Sequence, residues 1–105
     1  AIEKLNAFLN TYPNSTKAPD AVYLLGQAHY EKGRFDEATK AFERIPTQYP
    51  AATGVIPLAL HAQSLAELKL QQNAKARATL ERLKQTYPDY EPAKIEQLLR
   101  QIPNP

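Results

Sequence analysis

The sequence predicts an all-α fold, a solenoid of antiparallel helix pairs stacked side by side. Three observations predict it. The dipeptide Tyr-Pro recurs at Tyr12-Pro13, Tyr49-Pro50 and Tyr87-Pro88, at spacings of 37 and 38 residues. A period between about 20 and 50 residues marks a stacked repeat. The intervening stretches also agree position by position. A shift of 38 pairs Pro19 with Pro57, Ala28 with Ala66, Ala38 with Ala76, Phe42 with Leu80 and Ile45 with Leu83, and a shift of 37 pairs Leu5 with Phe42 and Phe8 with Ile45. Finally, apolar residues return at helical spacing within each stretch, as Ile2, Leu5, Phe8 and Leu9 do.

Residues 1–12 read as the second helix of a unit whose first helix is missing, so the chain reads as a piece of a longer protein. Its apolar stripe lacks a covering helix, and Ile2, Leu5 or Leu9 is expected to meet an upstream segment or a second copy. Pro13 ends this helix, because the residue before a proline is pushed out of the helical region. Asn14-Ser15-Thr16 supplies turn chemistry. Pro19 suits a first helical turn, where its missing N–H loses no bond. A helix over 19–32 follows, with Gly33 as the residue that enters the left-handed region at its end.

The partner helix covers 35–48, opened by Asp36-Glu37, whose charges favour a helix N-terminus. Pro46 falls in its last turns and is expected to end or kink it. After a loop holding Gly54, the pair repeats over 57–71 and 73–86, with Asn73 as a candidate cap in a turn that lacks glycine. Pro92 opens a last helix over 93–101, which carries Ile95, Leu98, Leu99 and Ile102, and Pro103-Asn104-Pro105 ends it. The organisation is one array: a half-unit at 1–12, full units at 19–50 and 56–88, and a capping helix at 92–102. Gly26, Ala38 and Ala41 let paired helices approach closely, and Ser64 and Ala76 repeat that pattern.

Leu25-Gly26, Tyr30, Gly33, Phe35, Ala38, Phe42 and Pro50 stand at the spacing of the tetratricopeptide repeat (TPR) pattern, which the chain resembles over nearly its whole length. The third copy departs from it, with Ser64, Gln71 and Asn73 in place of Gly26, Gly33 and Phe35. The resemblance implies a right-handed superhelical twist. Tyr12-Pro13-Asn14-Ser15 followed by Ala18-Pro19-Asp20-Ala21 resembles the turn of bacterial envelope members, above all the periplasmic Tol-Pal-associated group (YbgF/CpoB type). That likeness implies a periplasmic location and a part in envelope constriction at cell division. A cytoplasmic location is the alternative.

Composition narrows the function. A chain of 105 residues fits one domain. A formal net charge of +2, with both signs mixed along the chain, gives no footprint for nucleic acid or an anionic membrane. No apolar run is long enough to insert into a bilayer. With no cysteine, neither a disulfide nor a thiolate metal site can form.

No catalytic constellation, cofactor site or metal site emerges. His29 and His61 lack ligand partners, Ser15 reads as turn material and Ser64 as a packing residue. Lys75, Arg77, Arg82 and Lys84 read as a solvated helix face. The expectation is therefore a non-enzymatic protein, with another protein as its partner.

The TPR resemblance implies that the first helix of each unit lines a concave face that takes a partner's peptide or helix. Tyr23, Gln27, Tyr30 and Glu31 would line it from the middle unit, and His61, Leu65, Leu68 and Lys69 from the third. Two alternative settings remain: a scaffold in outer-membrane assembly or polysaccharide export, and a regulatory array attached to an enzyme.

Overall fold

A computed structural model describes residues 1–103, so the Asn104-Pro105 end of the expected helix stop lies outside the described residues. Six helices follow in order: α1 Ile2–Thr11, α2 Ala18–Glu31, α3 Phe35–Gln48, α4 Ile56–Lys69, α5 Asn73–Thr86 and α6 Pro92–Gln101. Among the described residues there is no strand. Each helix packs on the next, and α2 also touches α4, so the helices led by Pro19 and Pro57 are neighbours. The molecule measures 42 × 28 × 18 Å, an extended stack rather than a closed bundle.

Both full units end their first helix in the same way. In α2 the Arg34 N–H donates to the His29 carbonyl and the Gly33 N–H to that of Tyr30; in α4 the Gln72 N–H donates to Glu67 and the Gln71 N–H to Leu68. These paired bonds are a Schellman turn, which requires a left-handed residue just past the helix. Gly33 supplies it at φ 76° and Gln71 at φ 60°. Asn73 is therefore not the cap expected from sequence. It is the first residue of α5, Gln72 holds the cap position, and no side chain caps that helix.

Of the two effects expected of Pro46, an end to the helix does not occur. α3 runs through it to Gln48, and the Tyr49 N–H still reaches the Ile45 carbonyl. Pro46 withdraws one donor, but Ile45 beside it and Phe42 one turn earlier are buried in the core and anchor the helix there.

The core is a row of small and large apolar side chains along the helix pairs. Ala18, Val22, Ala38, Ile45, Ala59, Ala66, Ala76, Leu80 and Leu83 are completely enclosed. A Cβ placed on Gly26 would stand 2.5 Å from a ring carbon of Phe42, so only glycine lets that ring lie flat against α2. Phe42 therefore packs within its own helix pair, against Gly26 and Tyr23 of α2. In the third unit Ser64 and Leu80 replace Gly26 and Phe42; both are buried, and Ser64 Oγ donates to the His61 carbonyl at 2.7 Å.

One buried polar cluster interrupts the apolar row. Glu67, only 2% exposed, accepts hydrogen bonds from Thr79 Oγ1 at 2.7 Å and from Gln63 Nε2 at 3.1 Å. Buried polar atoms need such partners, because an unmade bond there costs the full desolvation of the group.

At the C-terminal end, Arg77 is half-buried and donates to the Leu99 and Ile102 carbonyls, which closes α6 onto α5. It does not belong to a solvated face. Lys84 is exposed and pairs with Glu96 across the same two helices.

Candidate functional site

One face of α2 and one face of α4 flank a groove lined by aromatic rings. On α2, Tyr23, Gln27, Tyr30 and Glu31 recur at i, i+4, i+7 and i+8, which brings them onto a single stripe. On α4, Leu58, His61, Ala62 and Leu65 form the facing wall. Phe42 supplies the floor and Tyr90 closes the end nearest α6, leaving a volume of about 490 Å³.

The ring walls are braced. Tyr23 lies 5.7 Å from Phe42, centroid to centroid, and its hydroxyl accepts from Gln27 Nε2 at 3.2 Å. Tyr30 meets Phe35 edge-on at 5.1 Å. His61 and Tyr90 also meet edge-on, and His61 Nδ1 and the Tyr90 hydroxyl share a hydrogen bond of 2.9 Å. Aromatic pairs in these geometries gain energy beyond their buried area.

Electrostatics follow from burial. Enclosure, together with the Lys94 charge, pushes the His61 imidazole below its ordinary value of 6.5, against an opposite pull from Glu91. His61 is thus neutral at physiological pH. Burial raises the Tyr90 hydroxyl, helped by Glu91 and by Tyr23 across the groove, so it stays protonated.

Six of the eight residues expected on this face, Tyr23, Gln27, Tyr30, Glu31, His61 and Leu65, meet in one groove. Leu68 and Lys69 do not. Leu68 packs against the core and Lys69 points to solvent in the last turn of α4. Phe42, Leu58, Ala62 and Tyr90 line the groove as well, and the sequence reading passed over them. For Tyr90 a signal existed. Pro88 and Pro92 are four steps apart, against six between Pro13 and Pro19 and seven between Pro50 and Pro57, and this short linker leaves Tyr90 over the groove.

A tetratricopeptide repeat family model matches residues 1–53, and a second matches residues 58–90. The chain belongs to the tetratricopeptide repeat family. The TPR matches cover more than half of its length and fall on the helix pairs described above. No curated protein matches the chain.

A TPR array commonly serves as a protein-interaction module, and the groove lies where such an array presents the first helices of its units. Among the described residues, no group of three or more His, Asp or Glu side chains is arranged to hold a metal ion. No helix among them is long and apolar enough to cross a membrane.

Proposed function

We propose that the chain is a non-catalytic interaction module of a bacterial envelope TPR protein, and that its α2–α4 groove holds a peptide or helix of a partner protein. The carrying observation is the groove itself: four aromatic rings and His61 around a cavity of about 490 Å³. Tyrosine offers wide contact area at low entropic cost, with a hydroxyl to orient a guest. The periplasmic location and the link to the Tol-Pal system rest on the Tyr12–Ala21 turn resemblance. The location is tested by fractionating cells that produce the protein, and the Tol-Pal link by asking whether Tol-system proteins co-purify with it.

Replacing both Tyr23 and Tyr30 with alanine tests the groove. Partner affinity should fall at least about tenfold, the loss expected when two interface tyrosines of ordinary weight are truncated. Unchanged affinity with helicity intact would remove the groove from the account.

A second surface is favoured by a separate observation. Leu5, Leu24 and Ala28 form an apolar edge with Ala1 and Lys4 at the α1 side, and Leu24 is 52% exposed. One unit further along, Phe42, Ala62 and Ala66 hold the matching positions, and there α2 packs against α3 and α4. A helix like α2, from an upstream segment or a second copy, therefore fits this edge and supports self-association through it. Within the chain itself, Leu9 is already buried and contributes nothing to that surface.

A further inference from the structure

We infer that the groove is selective for a basic side chain, so that the partner protein places a lysine or arginine between Tyr23, Tyr30 and Glu31. This inference rests on the groove being the partner's seat and names the chemistry of what sits there. It starts from charge. No Lys or Arg lines the groove, and Glu31 is its one carboxylate.

Among the described residues Glu31 has no ion-pair partner, although Lys32 and Arg34 follow it closely in the chain. It also stands in the last turn of α2, where the helix dipole presents its negative end. A carboxylate is the wrong charge for helix stability at that position. The repeat supplies an internal control: the equivalent position in the next unit is Lys69, the sign the dipole favours, and Lys69 lies outside the groove. The sign changes at the position where the side chain faces the aromatic walls.

The aromatic surroundings point the same way. Ring faces attract a cation through their quadrupole, and do so more strongly where water is partly excluded. Tyr23, Tyr30 and Phe42 line the same groove as Glu31, with the Tyr23 hydroxyl and the Gln27 side-chain carbonyl as hydrogen-bond acceptors for an ammonium or guanidinium. At the opposite end the charges of Lys94 and Glu91 oppose each other around His61, so the negative bias is concentrated at the Glu31 end. Lys4 lines the adjoining α1-side pocket with Gln27 and Glu31 but does not enter this groove, so an acidic guest in the groove would meet only the Glu31 carboxylate and a helix C-terminus.

The test uses four amino-acid probes on the 105-residue chain at constant ionic strength: the N-acetyl methylamides of lysine, arginine, norleucine and glutamate. Signals of the tyrosine rings and of the α2 and α4 amides are followed by NMR. Lysine and arginine should give saturable shifts at Tyr23 and Tyr30, and should bind about three- to tenfold more tightly than norleucine, which matches the lysine chain without its charge. Glu31→Gln, an exposed and isosteric change, should erase that preference while leaving the helical spectrum intact. Equal binding of norleucine, tighter binding of glutamate, or a lysine preference that survives in E31Q would each overturn the inference while leaving a groove that binds. The absence of groove shifts with every probe would overturn it too, and would count against the groove as well.

Discussion

The contact between Gly26 and Phe42 shows how single residues set the helix spacing. The ring occupies the space that any side chain at position 26 would need, and the third unit solves the same crossing with Ser64 and Leu80. Size at one position is exchanged for size at the other. Gly26→Ala should therefore destabilise the chain by about 1–3 kcal/mol, as overpacking of an enclosed site does. Phe42→Leu alone opens space at a cost of about 1 kcal/mol or more. Because the two residues touch, the double variant should be more stable than the sum of the single losses predicts, by at least about 1 kcal/mol. Chemical denaturation of the four proteins measures this, and strict additivity would disprove the coupling.

His61 gives the same scale a pH signature. Its folded value lies below the ordinary 6.5, so the unfolded chain takes up the proton first as pH falls. Stability contributed by the neutral ring is complete above that ordinary value. It is lost progressively below it, until the folded ring protonates too. Melting temperature should drop between neutral pH and mildly acidic pH, and His61→Gln should flatten that part of the profile. An unchanged slope in H61Q would place the titration elsewhere.

At the scale of elements, the turns carry the instructions and the helices follow. Gly33 and Gln71 perform one task, the left-handed step that closes a Schellman turn, but only glycine does so without strain. Gln71→Gly should stabilise the chain by up to about 1 kcal/mol, and Gly33→Ala should cost about as much, since no atom lies within 4 Å of the added methyl and only backbone strain is at stake. Urea midpoints moving in opposite directions confirm this, whereas a loss of stability in Q71G refutes it.

The helices themselves were legible, because proline, glycine and apolar spacing recur with the repeat. Pro46 does not end α3, and the reason is physical. Proline's local preference was weighed alone, while burial of Ile45 and Phe42 overrides it. Arg77 escaped in a similar way: its charge suggested solvent, yet its guanidinium serves the carbonyls at the end of α6, 22 and 25 residues away. Nothing local in the sequence announces such a pairing.

At the scale of the whole molecule, repetition makes a site that no single unit contains. The α2 stripe was readable because its four residues share one helical face within a unit that keeps the TPR pattern. The opposite wall was less so. Leu68 and Lys69 repeat the spacing of Tyr30 and Glu31 one unit along, but α4 meets the groove through Leu58, His61, Ala62 and Leu65, which leaves Leu68 against the core and Lys69 in solvent. Phe42 and Tyr90 enter from other elements, α3 and the linker before α6, and their arrival depends on tertiary packing alone. The groove's chemistry is thus partly a property of α2 and partly of the stack.

Site-specific photo-crosslinking tests the central claim, that this stack works by holding another protein between α2 and α4. A photoreactive phenylalanine analogue placed at Leu65, inside the groove, is compared with one at Arg82, exposed on α5, each in the protein produced in its native host. The account predicts a protein adduct from position 65 that disappears in the Tyr23→Ala/Tyr30→Ala background. Adducts arising only from position 82, or an adduct at 65 indifferent to the two tyrosines, would contradict it.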